Sequence, residues 1–281
     1  MGRRHWLFRR PPLLHVAIDE GGATDEGSGA AVVMVHGIAS SSVTFENVVP
    51  LLTPTHRVIA IDLLGFGGSP SPADAEYTVE EHVASLARTI SSLRLRAPFV
   101  LVGHSMGSLI AARYASTRPR HLGRLVLVSP PIYLPPETIG SRRDRTTMDL
   151  YLRAYEYLRN NKEFTIRAAA GLARMSPIKN MLVVSETNWR AFVLSLQNSI
   201  ESQTSVSDLA AVRVPVEVVY GSLDPFLTPS GIRVVERLRG VEVHRVDGGD
   251  HVIRPRMARV IAAAIGDPVR LPAEPGVRHR A

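Results

Sequence analysis

The chain has 281 residues, of which 45% are hydrophobic, and 33 Lys or Arg against 26 Asp or Glu give it a formal net charge of +7. This composition can bury a sizeable core, and it excludes a disordered or collagen-like chain. The sequence contains no cysteine, which excludes a disulfide framework, a thiolate nucleophile and a cysteine-ligated metal. The basic residues are nearly all arginine and are scattered rather than clustered, so we expect no nucleic-acid binding.

The first ten residues are basic, but their apolar stretch is only Trp6-Leu7-Phe8. This stretch is too short for a signal-peptide core or a membrane span, so we expect a cytoplasmic protein. The favoured interpretation of the segment is a solvated arm that enters the first strand, predicted over residues 13–18. Contact of its arginines and aromatic rings with an anionic membrane surface is the minor alternative.

Strand-like and helix-like segments alternate through the first half of the chain. Short apolar runs at residues 31–35, 58–61 and 124–128 predict buried strands. Residues 78–93 carry apolar side chains on one face of a predicted helix, with Thr78 and Glu81 at capping-box spacing. The alternation predicts an α/β fold, with a mostly parallel, doubly wound sheet and helices on both faces.

The pentapeptide Gly103-His104-Ser105-Met106-Gly107 lies between an apolar run, 97–102, and a helix-like run, 109–115. A sharp strand-to-helix turn at this point would display the Ser105 side chain and would require small residues at both ends. An alcohol is a weak nucleophile at neutral pH, so it needs a histidine base that is oriented by a carboxylate. Ser105 is therefore a candidate nucleophile.

Two later strands end at residues that can complete such a site. The apolar run that starts at Val214 leads to Asp224, and the run 241–246 leads to His251. We interpret His251 as the base and Asp224 as the acid that orients it. Nucleophile, acid and base would then each lie just past the end of a strand.

Other aspartates compete for the acid role. Asp247 and Asp250 share the loop of His251 and would approach it from the wrong strand. Asp208 is interpreted as a cap on the short helix before the next strand.

Serine, aspartate and histidine in this order, together with two further segments, resemble α/β-hydrolase-fold serine enzymes. His36-Gly37-Ile38 is similar to the oxyanion turn of that family, and the segment from Asp62 to Ser69 is similar to the loop after its next strand. The resemblance covers roughly residues 13–265. It implies an oxyanion hole formed by the backbone N–H groups of Ile38 and Met106, with no cofactor and no metal. His36 and His104 would support their loops rather than transfer protons.

After Pro130-Pro131 the alternation stops, and only helical patterns follow, at residues 148–158 and 189–200, interrupted at Ser176-Pro177. By resemblance, residues 135–205 form a helical cap or lid. Its side chains Met148, Tyr151, Tyr155, Trp189 and Phe192 are candidates to line a substrate pocket. Residues 1–134 and 206–281 would form the core, with a disordered tail after residue 266.

These expectations favour a cofactor-independent serine hydrolase of carboxylic esters, lactones or thioesters of small apolar molecules, acting through an acyl-enzyme. Alternatives on the same fold are acyl transfer and carbon–carbon bond hydrolysis of dienoic diketones. Val252 disfavours the latter, because such enzymes frequently place tryptophan there. Haloalkane dehalogenases and epoxide hydrolases need aspartate at the position of Ser105, so the serine argues against both activities. A low-turnover ligand sensor or protein-binding module is the alternative from another class, and it does not require all three site residues.

Overall fold

A computed structural model describes residues 10–21, 29–95, 98–134 and 142–266. The strands are β1 (Val16–Glu20), β2 (Gly29–Val35), β3 (His56–Ile61), β4 (Phe99–His104), β5 (Leu122–Val128), β6 (Val216–Gly221) and β7 (Val241–Val246). The α-helices are α1 (Val49–Leu52), α2 (Val79–Ser92), α3 (Met106–Thr117), α4 (Arg142–Asn160), α5 (Lys162–Met175), α6 (Trp189–Ser195), α7 (Ser205–Ala211), α8 (Pro229–Val235) and α9 (Pro255–Ile265). The expectations for the N-terminal arm and for the tail after residue 266 lie outside the described residues, apart from Arg10.

The strands form one seven-stranded sheet in the order β1-β3-β2-β4-β5-β6-β7. β1 pairs antiparallel with β3, and every other pairing in the sheet is parallel. The carboxyl ends of β4, β6 and β7 therefore meet at one edge, where ligands bind in sheets of this kind. The predicted α/β class with a mostly parallel sheet is confirmed.

Both faces of the sheet are buried. Along β2, Val33 and Val35 belong to one apolar cluster with Leu86 of α2, and Val32 and Met34 belong to a second cluster on the other face. α9 covers that second face with an apolar side that includes Met257 and Ile261. The alternation along single strands explains why the apolar runs are nearly continuous in the sequence, since each neighbouring residue serves a different core.

α4, α5, α6 and a π-helical turn, Leu196–Glu201, are inserted between β5 and β6, and the described residues 142–205 contain no strand. The absence of strands agrees with the sequence, and α5 ends at Met175, beside the predicted break. α5 itself was not predicted, although its side chains are partly buried on one face, as those of α4 are. Within the described ranges, no helix has the length and hydropathy that a membrane crossing requires.

Hydrogen bonds test two local predictions. The Thr78 hydroxyl accepts the Glu81 N–H at 3.2 Å, and the Glu81 carboxylate accepts the N–H of Glu76 and also interacts with the backbone N–H of Thr78, as expected of a capping box. The predicted capping role of Asp208 is wrong, because Asp208 lies inside α7 and binds the Arg113 guanidinium of α3 at 2.7 Å. That ion pair fastens α7 to α3.

His82 of α2 is fully buried, and its Nε2 lies 3.4 Å from the Ser195 hydroxyl of the insertion. Burial, with a smaller contribution from the nearby His36, lowers the pKa of His82 from 6.5 to about 3. The unfolded chain therefore binds this proton at a higher pH than the folded chain. The stability that this difference provides is complete above about pH 6.5 and is lost as the pH falls toward about 3.

We expect His82→Gln to weaken the pH dependence of unfolding by about one proton below about pH 6.5, because the variant has no imidazole to protonate. Urea unfolding over a pH series measures this slope separately from any constant loss of stability. An unchanged slope in a folded variant would contradict the assignment.

Candidate active site

Ser105 occupies a strained turn between β4 and α3, with φ of 53° and ψ of −124°. Its N–H donates to the Val128 carbonyl of β5 at 2.9 Å, which holds the turn against the sheet. A Cβ at Gly103 would lie 2.4 Å from the Gly107 carbonyl oxygen, and a Cβ at Gly107 would lie 2.4 Å from that of His36. Only glycine fits at either end, as the sequence indicated. The backbone strain is thus maintained by packing that leaves the turn no alternative.

Asp224 and His251 are brought together by the loops after β6 and β7. His251 Nδ1 lies 2.7 Å from Asp224 Oδ2, and the other carboxylate oxygen accepts the Phe226 N–H at 2.9 Å. Burial alone raises the pKa of Asp224, but its hydrogen bond to His251, the imidazole charge and the Phe226 N–H outweigh this, so the pKa is lowered. Asp224 is therefore an ionised carboxylate whose side chain is closed to solvent.

Ser129 is a further neighbour of the Asp224 carboxylate, and no sequence pattern identified this serine. It follows β5, is fully buried, and its N–H donates to the Val219 carbonyl of β6 at 2.8 Å. Its hydroxyl also lowers the pKa of Asp224, although it lies outside ordinary hydrogen-bond geometry.

The rival aspartates are engaged elsewhere. Asp247 lies 3.1 Å from Arg245, and Asp250 lies 2.7 Å from Arg254. Both pairs are at the surface, so neither carboxylate is positioned to orient His251.

The turn after β2 lies directly against Ser105. A Cβ at Gly37 would be 2.8 Å from the Ser105 Cβ and 3.3 Å from its hydroxyl oxygen. Within the described part of the chain, the Ile38 N–H has no protein acceptor. Met106 is the first residue of α3, where a backbone N–H has no partner inside the helix. Both N–H groups are available to a bound oxyanion.

His36 ties this turn to the loop after β3. Its Nδ1–H donates to the Gly37 carbonyl at 2.7 Å, and its Nε2 accepts the Leu63 N–H at 2.9 Å. Burial lowers the pKa of His36, so the ring is neutral. Nearby, the Asp62 carboxylate accepts the N–H groups of Ser42 and Gly68, each at 2.8 Å. His36 and Asp62 thus fix the backbone beside Ser105, which agrees with the supporting role expected for His36.

His104, next to Ser105, contacts His251 directly. Its Nε2–H donates to the His251 carbonyl at 3.0 Å, and the two ring centroids are 4.9 Å apart. Burial and the nearby His251 lower the pKa of His104 to about 3. A neutral ring with this hydrogen bond does not transfer protons; it holds the loop that carries His251.

The helical insertion contacts both sides of this site. The Tyr151 hydroxyl of α4 donates to the Pro225 carbonyl beside Asp224, and the Val183 N–H donates to the Ala39 carbonyl beside Ile38 at 2.7 Å. Ser105 is only 8% exposed. Two cavities, of about 520 and 300 Å³, have neither Ser105 nor His251 in their walls. Ser105 is therefore mostly buried in this conformation.

The larger cavity contains the side chains of Glu217, Glu242 and His244, whose possible ligand atoms lie within 4.8 Å of one another. The spacing of these three residues along the chain does not match a metal-binding motif. His244 Nε2 is 2.7 Å from Glu217, and Arg124, Arg256 and Arg259 line the same cavity. Because three cationic side chains line the same cavity and would repel a metal ion, we assign no metal to this group.

Comparison with known proteins agrees with this geometry. The profile of the alpha/beta hydrolase fold family matches residues 30–253. The chain therefore belongs to the alpha/beta hydrolase family, as the resemblance in its motifs indicated, and is an α/β-hydrolase.

Part of the chain, 140 residues, is 36% identical to the probable lysophospholipase BODYGUARD 1 of Arabidopsis thaliana; the match covers 48% of this chain and 29% of that protein. Another, over 138 residues, is 34% identical to cis-3-alkyl-4-alkyloxetan-2-one decarboxylase of Shewanella oneidensis and covers 48% and 41% of the two chains. The matches thus span less than half the length of these curated relatives. The fold is similar to that of an esterase from Exiguobacterium antarcticum, with a TM-score of 0.69, 19% identity, and coverage of 85% and 92%.

We expect His104→Phe to slow the reaction of Ser105 with a small organophosphonate by about fivefold to tenfold, because about 1 kcal/mol of hydrogen bonding to the His251 loop is lost. His104→Gln retains a donor and should recover part of the rate. Intact mass spectrometry follows the reaction, and thermal melting checks folding. Equal rates in the two folded variants would show that the hydrogen bond does not matter.

Proposed function

We propose that this α/β-hydrolase cleaves carboxylic esters, including lactones and thioesters, of apolar molecules, through Ser105, His251 and Asp224 and without a cofactor. The observation that carries the proposal is the buried 2.7 Å hydrogen bond between Asp224 and His251, at the strand edge where the turn of Ser105 also lies. Burying a carboxylate away from solvent costs free energy of folding unless the charge is paired. The partner here is an imidazole, which is the base that an alcohol nucleophile requires.

The roles follow from the atoms that remain free. The Asp224 carboxylate accepts a hydrogen bond from the Nδ1–H of His251, which leaves Nε2 as the basic nitrogen. Nε2 takes the proton of the Ser105 hydroxyl as its oxygen attacks the ester carbonyl, and then returns that proton to the leaving alcohol. Water, deprotonated by the same nitrogen, attacks the resulting acyl-enzyme and releases the acid and Ser105.

The tetrahedral intermediate requires donors that are already in place. The unoccupied N–H groups of Ile38 and Met106 supply them in this proposal, because both adjoin the Ser105 turn. His36 and Asp62 hold the backbone of the first donor, so little reorganisation accompanies the developing charge.

The substrate is proposed to bind beneath residues 142–205, which act as a lid. Phe192, Met148 and Tyr155 are buried, whereas Trp189 and Tyr151 are partly exposed. These apolar and aromatic side chains favour an apolar acyl or alcohol chain over a charged one. The likeness to a probable lysophospholipase supports an ester of this kind. Because Ser105 is 8% exposed, the lid must move for substrate to enter.

Ser105→Ala should leave a folded protein whose ester turnover is lower by about four to six orders of magnitude, because nucleophile and base act as one unit. Turnover of p-nitrophenyl esters of graded chain length measures the loss, and a phosphonate adduct should form on the unchanged protein only. More than about a tenth of the activity in Ser105→Ala would refute the nucleophile assignment.

Asp224→Asn should lower turnover by a factor on the order of 10⁴, since the amide favours the wrong tautomer of His251. Asp247→Asn and Asp250→Asn are matched controls in the neighbouring loop, and we expect milder effects because their carboxylates face arginines. Turnover rates and melting temperatures of all three variants should be compared. If Asp247→Asn proved the most damaging, the acid would have been misassigned.

A further inference from the structure

The helical hairpin of α4 and α5 has apolar side chains on its outer surface. On α4, Leu150 is 64% and Tyr157 is 51% exposed; on α5, Phe164 is 48%, Leu172 is 62% and Met175 is 84% exposed. Positions 150 and 157 are seven residues apart, and 164, 172 and 175 are spaced by eight and three residues. These spacings keep the side chains on one side of a helix, so each helix has one exposed apolar stripe. The rings of Tyr157 and Phe164 contact each other, with their centroids 5.4 Å apart. This contact connects the two stripes into one outer face.

These side chains are not needed to attach the hairpin to the protein. Met148 and Tyr155 of α4, and Ala169 of α5, are buried on the opposite side and pack into the main core. A Cβ at Gly171, on the outer side of α5, would meet nothing within 4 Å. Each helix therefore has a second apolar side that faces solvent, and contiguous exposed apolar surface of this kind marks an interaction site.

The sequence of the hairpin carries a net positive charge, although Arg159 and Lys162 are paired with Glu201 and Glu186. The sequence of residues 142–175 contains eight Arg or Lys and four Asp or Glu, a net charge of +4. Arg153 lies between the stripe residues of α4, Arg167 and Arg174 lie beside those of α5, and all three are exposed. Arginine can keep its guanidinium in a polar layer while its stem lies along apolar material. Apolar stripes flanked by such cations are suited to the interface of an anionic bilayer.

The hairpin is also connected to the active site. Tyr151, next to Leu150, donates to the Pro225 carbonyl, and the segment after α5 reaches the oxyanion turn through Val183. Contact between the outer face and a lipid surface would therefore bring the elements that cover Ser105 next to that surface.

We propose that the outer face of α4 and α5, formed by Leu150, Tyr157, Phe164, Leu172 and Met175 with its flanking arginines, docks on an anionic lipid surface. This binding does not depend on ester hydrolysis. It would place the hydrolase at a lipid surface.

Vesicle flotation tests the docking with the full chain, using phosphatidylcholine vesicles with and without about a third phosphatidylglycerol. The unchanged protein should float with the anionic vesicles. Leu172→Glu with Met175→Glu should lower the bound fraction at least about fivefold, because it places charge in the buried part of the interface. Leu51→Glu is the matched control, since Leu51 is 44% exposed on α1, on the other face of the sheet, and it should float normally.

A second pair of variants tests the charge. Arg167→Glu with Arg174→Glu should abolish the preference for anionic vesicles. Arg237→Glu with Arg239→Glu is the control: it changes the net charge equally, at two exposed arginines outside the hairpin, and should leave the preference unchanged. Melting temperature and hydrolysis of a soluble short-chain ester confirm folding. The proposal is overturned if the unchanged protein does not float, if the α5 variants float normally, or if both arginine pairs have the same effect. A dimer that Leu172→Glu with Met175→Glu dissociates, without vesicle binding, would also overturn it and identify a protein interface.

Discussion

The close approach of three backbone segments at the carboxyl end of β4 is the constraint on which the rest of the site depends. The turn after β2, the end of β4 and the first turn of α3 approach one another so closely that Gly37, Gly103 and Gly107 leave no space for a side chain. That packing holds Ser105 at a positive φ and places it against the turn that carries Ile38. The position of Ser105 is therefore set by the sheet itself, rather than by a mobile loop.

The buried histidines serve this backbone arrangement by remaining neutral. Burial lowers the pKa of both His36 and His104, so neither adds a positive charge beside His251. A neutral imidazole has one donor and one acceptor, and His36 uses both to join two loops. His104 uses its donor on the His251 carbonyl, so the residue before Ser105 also positions the loop of His251. Asp224 differs from them because its charge is compensated by direct hydrogen bonds.

The sheet, and the positions of Ser105, Asp224 and His251 at its edge, could be predicted because both depend on local patterns. Apolar runs define parallel strands, and the ends of parallel strands meet. The contact of Ser129 with Asp224 could not be predicted, since a serine after a strand has no distinguishing pattern. Asp208 has the local chemistry of a helix cap, but its position is decided by Arg113 from a distant helix. α5 was missed although its apolar side chains recur at helical spacing, as those of α4 do.

The attachment of the insertion has a mechanical consequence. Its contacts include hydrogen bonds to the loops that carry Asp224 and Ile38, through Tyr151 to Pro225 and through Val183 to Ala39. A cover attached to these loops cannot move without changing the forces on Asp224 and Ile38. The neighbouring contacts of those two loops, the Phe226 N–H on Asp224 and the His36 bridge to Leu63, lie on the core side of the site. In the proposed opening of the insertion, the bonds of Tyr151 and Val183 would break, while these core-side contacts would still hold the loops of Asp224 and Ile38.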